Sequence, residues 1–315
     1  MSVSGFLRRL FKPFMRPRAD SGMREHVVQC MGPHGLHRMA YTEWGDPDNP
    51  KVLLCVHGFT RNARDFDMLA EALSGEYRVV CPDVVGRGRS DWLRVKFDYT
   101  FPLYVSDMVT LIARLGVPHV DWVGTSMGGL IGVLLAGQPH APVRRLVLND
   151  VGPLITAESL RRIGQYVGKS PGFPTLEDAE SYVRQIGASF GALTDEQWQH
   201  LTRHSVRHTS NGYIFNYDPS LGDLFRMIPI VLDVQAWDAY DRIAHPVLAI
   251  RGAESDLLRR DTWLKMAERG PKAKLAEFPG IGHAPMLMSE DQIAVIRDFL
   301  LDSGKEADNE PQQPS

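Results

Sequence analysis

The feature that most constrains this 315-residue chain is the stretch Asp121-Trp122-Val123-Gly124-Thr125-Ser126-Met127-Gly128-Gly129-Leu130. An apolar run (Val120, Trp122, Val123) leads into Gly-x-Ser-x-Gly, and a second one (Leu130, Ile131, Val133, Leu134, Leu135) leads out of it. That pattern predicts a buried strand, a five-residue turn and a buried helix. The turn forces its central serine into a strained backbone conformation, and the small residues two positions either side let strand and helix approach without a clash. The Ser126 hydroxyl would stand proud of a sheet at a helix N-terminus, where backbone N–H groups favour developing negative charge. Ser126 is the candidate nucleophile. The bland alternative is a glycine-rich turn that only packs helix on strand, and the residues that follow along the chain argue against it.

On both sides of this turn, strands and helices alternate. Short apolar runs at 52–56, 77–81, 145–148, 247–250 and 274–278 predict parallel strands buried on both faces, and 23–29 with 38–44 predict two more around a turn containing Gly32, Pro33 and Gly35. Helical periodicity covers 62–73, 103–115, 261–268 and 293–301. This alternation implies a mostly parallel sheet covered by helices on both faces, with ligands bound at the carboxyl ends of the strands. The rhythm stops from about residue 154 to 240. That insertion is too apolar for a loop and mostly helical in pattern, so it reads as a cap over the sheet. The expected organisation is a tail at 1–22, a core at 23–153 and 241–302, a helical cap at 154–240 and a polar tail at 303–315.

A serine hydroxyl needs a base within hydrogen-bond reach, and that base needs an anionic partner to hold its tautomer. His283 lies in the glycine-rich loop Pro279-Gly280-Ile281-Gly282-His283, just past the last strand. Asp256 follows the preceding strand, so nucleophile, acid and histidine occur in the chain order expected of such a group. Two other acids compete for the anionic role. Glu254 is two residues from Asp256, and Asp150 follows a different strand end. The oxyanion donors are expected to be the backbone N–H groups of Met127, next to the nucleophile, and of Phe59, in the loop after 52–56. In that loop His57 and Gly58 are read as shaping the backbone. Arg61 and Arg64 are candidate anchors for a substrate carboxylate, and Trp198, Tyr213 and Trp237 are the aromatic candidates to face the serine. Trp237 is taken with Arg61 as substrate-binding. Gly86-Arg87-Gly88-Arg89-Ser90 lacks both the GxGxxG spacing and the P-loop lysine, and is read as a structural turn.

Taken together, His57-Gly58-Phe59, Gly124-Thr125-Ser126-Met127-Gly128-Gly129, Ser255-Asp256 and Gly282-His283 resemble the α/β-hydrolase fold superfamily over residues 38–301. The resemblance implies a twisted, mainly parallel sheet of about eight strands with a cap between the sixth and seventh, and a Ser126–His283–Asp256 triad. The single-glycine His-Gly-Phe-Thr loop is similar to the esterase, lactonase and carbon–carbon hydrolase branches and lacks the His-Gly-Gly-Gly form of some lipases. Serine rather than aspartate at 126 argues against dehalogenases and epoxide hydrolases. The expected activity is hydrolysis of a carboxylic ester or lactone through an acyl-enzyme, without cofactor or metal. Hydrolysis of a carbon–carbon bond in a ring-cleavage product and a ligand-binding, receptor-like role are the alternatives.

Charge and cysteine content exclude other classes. A net charge of −3 and the absence of a nucleic-acid-binding motif give no reason to expect DNA or RNA. Cys30, Cys55 and Cys81 have no metal-ligand spacing, and two of them sit in core strands, which points to a reducing, cytoplasmic setting without disulfides. The first eighteen residues carry five positive charges among Phe6, Leu7, Leu10, Phe11 and Phe14, leaving −8 for the remainder. A solvated tail and weak contact with an anionic membrane surface are the two readings of that segment. Oligomeric state and the identity of the ester are open.

Overall fold

The structure, a computed structural model, describes residues 22–169, 171–227 and 231–302. The basic N-terminal segment, apart from Gly22, and the polar tail from 303 therefore lie outside the described residues. Eight strands form the central sheet: β1 (Arg24–Gly32), β2 (Gly35–Trp44), β3 (Val52–Val56), β4 (Arg78–Pro82), β5 (Val120–Thr125), β6 (Val143–Asn149), β7 (Val247–Gly252) and β8 (Lys274–Phe278). Their order is β1-β2-β4-β3-β5-β6-β7-β8. Only β2 runs against the rest, pairing antiparallel with β1 and β4, and the other pairs are parallel. β1 and β2 are longer than the sequence pattern suggested. Gly32 pairs directly with Gly35, so Pro33 and His34 alone make the turn and the ladder continues up to it.

Strand alternation divides the core into two layers. Val52, Leu54 and Val56 of β3 face one layer with Trp122, Leu146 and Ala249. Leu53 and Cys55 face the other with Val79, Val123 and Ile250. The first layer is covered by α2 (Phe101–Leu115) and α3 (Met127–Ala136), with Trp263 and Met266 of α9 (Arg260–Met266). The second is covered by α1 (Asp67–Leu73) and α10 (Glu290–Leu301). Each fully buried Leu, Ile or Phe here stabilises the fold by about 1.5–3 kcal/mol relative to exposure. The helix expected over 62–73 is divided. Asn62 caps a 3-10 turn, Ala63–Phe66, by accepting from the Arg64 N–H, and α1 begins only after it. In α2, Thr100 caps the start and Gly116, at φ 71°, ends it in the left-handed conformation that glycine favours.

Between β6 and β7 lie the cap helices α4 (Ala157–Gly164), α5 (Leu176–Ile186), α6 (Asp195–Ser205), α7 (Asp223–Met227) and α8 (Trp237–Asp241). Capping boxes start two of them, Thr175 with Asp178 and Thr194 with Gln197. The cap is less purely helical than its periodicity implied. Val206–Thr209 and Gly212–Phe215 form an antiparallel hairpin in which Thr209 pairs with Gly212, so Ser210 and Asn211 make the turn and Gly212 follows it at φ 104°. The run Ser210-Asn211-Gly212 before alternating Tyr213 and Phe215 is a turn signal of small polar residues. No helix among the described residues is long and apolar enough to cross a membrane.

Candidate active site

Ser126 sits between β5 and α3 at φ 51°, ψ −114°, a region non-glycine residues rarely occupy. The glycines beside it are needed for space. A Cβ on Gly124 would lie 2.4 Å from the Gly128 carbonyl oxygen, and one on Gly128 would lie 2.0 Å from that of Val56. Across the sheet's carboxyl edge, His283 reaches back from the loop after β8. Its Nε2 lies 3.0 Å from Ser126 Oγ, and its Nδ1 lies 2.7 Å from Asp150 Oδ2. With Nδ1–H donating to the carboxylate, the Nε2 lone pair faces the serine hydroxyl.

The acid on His283 is thus Asp150, not Asp256. Asp150 directly follows β6, is fully buried, and also accepts from Ser255 Oγ at 2.5 Å and the Gly252 N–H at 2.9 Å. The same serine turns Asp256 away. Ser255 Oγ accepts from the Leu257 and Leu258 N–H groups, closing a tight turn that points the next carboxylate outward. Asp256, with its side chain 54% exposed, instead pairs with Arg162 of the cap. Glu254 is exposed. The sequence did carry a hint, because Asp150 and Ser126 each come immediately after the last residue of their strand, whereas Asp256 is four residues beyond Gly252.

His57, Phe59 and Met127 lie beside Ser126. Met127 opens α3, so its N–H is among those a helix leaves without an intrahelical acceptor. Phe59 lies in the loop after β3 and lines the cavity above Ser126. His57 is completely buried, and burial holds its pKa down to about 3. The neutral ring donates from Nδ1 to the Gly58 carbonyl (2.7 Å) and accepts at Nε2 from the Val84 N–H (2.9 Å). Both nitrogens are occupied in fixing the loop, as the sequence reading expected.

A cavity of about 310 Å³ rises from Ser126 and His283 into the cap. Its upper wall is largely aromatic and aliphatic, with Ile163, Tyr166, Tyr182, Phe190, Phe215 and Tyr217. The aromatic candidates chosen from sequence stand elsewhere. Trp198 stacks behind Phe190 (6.2 Å between centroids), and Tyr213 pairs its backbone with Phe173. Trp237 belongs to α8, beside Tyr240 and Arg269, and does not line the cavity. Its helix packs at Gly137, the end of α3 opposite Ser126, about 15 Å along the helix at 1.5 Å per residue. Arg61 lines the cavity, yet its guanidinium is engaged twice by Asp65 (2.7 and 2.6 Å) and donates to Ser205 Oγ at 2.9 Å. Arg64 pairs with Asp67. Among the described residues, two groups of side chains of types that can bind metal, Cys30–His37–Asp107 and Asp67–His200–His204, lie outside the cavity.

Known proteins share this architecture. Residues 51–288 match the alpha/beta hydrolase fold family. Over 281 residues, 87% of this chain and 96% of the other, the sequence is 51% identical to a 3-hydroxybutyrate-oligomer hydrolase of Cupriavidus necator. A solved chain from Rickettsia typhi superimposes with a TM-score of 0.82 at 33% identity, covering 88% of this chain and 98% of that one. An alpha/beta hydrolase from Novosphingobium aromaticivorans gives 0.79 at 35% identity, covering 89% and 98%. The match spans well over half of the sequence and includes the strand ends that carry Ser126, Asp150 and His283, so the chain belongs to the α/β-hydrolase fold family and its chemistry is hydrolysis.

Proposed function

We propose that this protein hydrolyses short linear esters of 3-hydroxybutyrate through a Ser126–His283–Asp150 triad. The observation that carries the reading is His283 bridging Ser126 Oγ and the buried Asp150 carboxylate at the floor of the cavity. The substrate class comes from the Cupriavidus necator relative. At about 310 Å³ the cavity is at the small end of ligand pockets, which suits an oligomer of a few units better than a long polyester.

In this mechanism His283 Nε2 takes the proton from Ser126 Oγ as the oxygen attacks the ester carbonyl, and Asp150 stabilises the resulting imidazolium. The N–H groups of Phe59 and Met127 hold the oxyanion. The tetrahedral intermediate collapses by breaking the bond to the alcohol oxygen, which receives the His283 proton and leaves as the 3-hydroxy end of one fragment. Water then gives a proton to His283 and attacks the acyl-serine. Collapse returns that proton to Ser126 and releases the carboxylic acid. The cap's apolar wall excludes bulk water and packs against the methyl-bearing backbone of the oligomer.

The test is hydrolysis of the 3-hydroxybutyrate dimer, trimer and tetramer, with p-nitrophenyl butyrate as a generic ester, by wild type and Ser126→Ala. Release of monomer by the wild type and its loss in a folded Ser126→Ala protein is the expected result. Turnover of p-nitrophenyl butyrate without any oligomer keeps the triad and removes the substrate class. Turnover of a diketo acid alone would replace ester hydrolysis by carbon–carbon cleavage.

A further inference from the structure

Arg87, in the loop after β4, is among the largest fully buried side chains in the protein, at 0% exposure. It forms no ion pair with a carboxylate among the described residues. Its Nε donates to the Phe59 carbonyl (2.9 Å), and Nη1 donates to the Val85 carbonyl (2.7 Å) and Tyr104 Oη (3.1 Å). Nη2 lies 3.4 Å from Met127 Sδ. The guanidinium carbon is 4.9 Å from the Phe59 ring centroid and 5.1 Å from that of Tyr104. A buried charge without a counter-ion is among the more expensive features a core can hold. Methionine or leucine would fill the same space without that penalty.

Two of the contacts of this one guanidinium fall on Phe59 and Met127, the residues whose N–H groups are the proposed oxyanion donors. Its own loop is closely packed. At Gly86 (φ 88°) a Cβ would lie 2.6 Å from the Tyr99 ring, and at Gly88 (φ 55°) 2.2 Å from the Asp83 carboxyl carbon. The cap fastens the loop from above, with the Gly88 N–H on the Asn216 carbonyl (2.9 Å) and the Asp218 N–H on the Gly86 carbonyl (2.8 Å).

We propose that Arg87 is a positioning residue for acyl transfer: it ties the Phe59 loop to the nucleophile turn and sets an uncompensated positive charge behind the oxyanion site. This inference rests on the acyl-enzyme reading above. Two physical effects support it. Engaging the Phe59 carbonyl and ring fixes that residue's backbone, so its N–H is aimed before substrate arrives. A positive charge in a water-poor interior also stabilises a developing anion more than a neutral ester, because charge–charge interaction is weakly screened there. Arg87 touches no substrate and moves no proton.

The experiment uses the full chain, with p-nitrophenyl butyrate for kcat and KM and a butyl trifluoromethyl ketone as the probe that forms a hemiketal with Ser126. Loss of one oxyanion donor lowers kcat by about 100- to 1000-fold, and misaiming donors should do less. Arg87→Met is expected to lower kcat by roughly 10- to 100-fold with KM within about threefold, and to weaken the ketone adduct in parallel. Arg87→Lys, which keeps the charge but loses the fork of contacts, is expected to fall between Met and wild type, and it carries the test if Arg87→Met does not fold. Unchanged kcat and adduct affinity in a folded variant, or a loss confined to KM, overturns the role of Arg87 alone. A wild type that forms no ketone adduct overturns the acyl-enzyme reading and this role with it.

Discussion

Replacing Asp150 by asparagine separates the two acids at the carboxyl edge of the sheet. Asparagine tolerates the left-handed backbone that Asp150 holds at φ 53°, so the substitution perturbs hydrogen bonding rather than the chain. If the new side chain keeps its Oδ1 on the Gly252 N–H, its amino group takes the place of Oδ2, which in the native protein faces His283 Nδ1 at 2.7 Å and Ser255 Oγ at 2.5 Å. Two donors then meet at Nδ1. The imidazole relieves this by carrying its proton on Nε2, which leaves no lone pair for the Ser126 hydroxyl 3.0 Å away. Flipping the amide restores an acceptor to His283 but buries an amino group against the Gly252 N–H, at about 1–3 kcal/mol. The wrong tautomer therefore prevails, and kcat is expected to fall by about 10⁴, the loss known for the equivalent change in a serine protease triad. That is roughly 5.5 kcal/mol of barrier at 1.36 kcal/mol per tenfold. Asp256→Asn removes only a half-exposed ion pair with Arg162, worth at most about 1 kcal/mol of stability, and kcat should stay within about twofold. Steady-state hydrolysis of p-nitrophenyl butyrate, with thermal melts to verify folding, distinguishes them. An Asp150→Asn protein retaining a tenth of wild-type kcat, or an Asp256→Asn protein losing a hundredfold, would refute the assignment.

Two further perturbations follow from burial and close approach. Gly128→Ala places a methyl group 2.0 Å from a β3 carbonyl oxygen that cannot yield without moving the strand, so a loss of more than about 3 kcal/mol is expected in urea melts, and a variant as stable as wild type would contradict the close approach. The three cysteines are free and buried. Burial, with Asp107 beside it, pushes the Cys30 thiol up to about 12, and burial with Cys55 alongside pushes Cys81 up as well. The raised pKa keeps Cys30 and Cys81 in the unreactive protonated form at pH 7–9, and burial shields all three thiols from reagent. No cysteine should then react with a disulfide reagent in the native protein across that range, whereas three equivalents should react on unfolding, and one fast-reacting thiol at pH 8 would show the burial to be wrong.

Legibility in the sequence followed the range of the interactions involved. The strand–turn–helix around Ser126 is local, because its glycines, flanking apolar runs and central serine lie within sixteen residues, from Val120 to Leu135. The alternating strands and helices of the core were equally readable, since parallel strands buried on both faces must be continuous apolar runs. His283 was readable as a histidine in a glycine-rich loop past the last strand. The cap was not. Which of its aromatics line the cavity depends on how α5, α6 and the 206–215 hairpin pack over the sheet. Tyr182, Phe215 and Tyr217 have no local mark that separates them from Trp198, Tyr213 or Trp237. The hairpin itself had its turn signal in Ser210-Asn211-Gly212, obscured by the helical periodicity around it.

By itself, the sequence determined the fold, the place of Ser126 in its strand–turn–helix and the edge of the sheet where the proposed site lies, because each depends on periodicity and on turn geometry over a few residues. Tertiary structure alone decided which acid serves His283. Asp150 and Asp256 both follow strands that end at the same edge, and only the turn closed by Ser255 holds one carboxylate on the imidazole and sends the other to Arg162. It likewise decided that Arg87, in what reads as an ordinary glycine-rich turn, is buried with its guanidinium on Phe59 and Met127. Both choices are made by hydrogen bonds between residues far apart in the chain, and no local pattern encodes where those partners will meet.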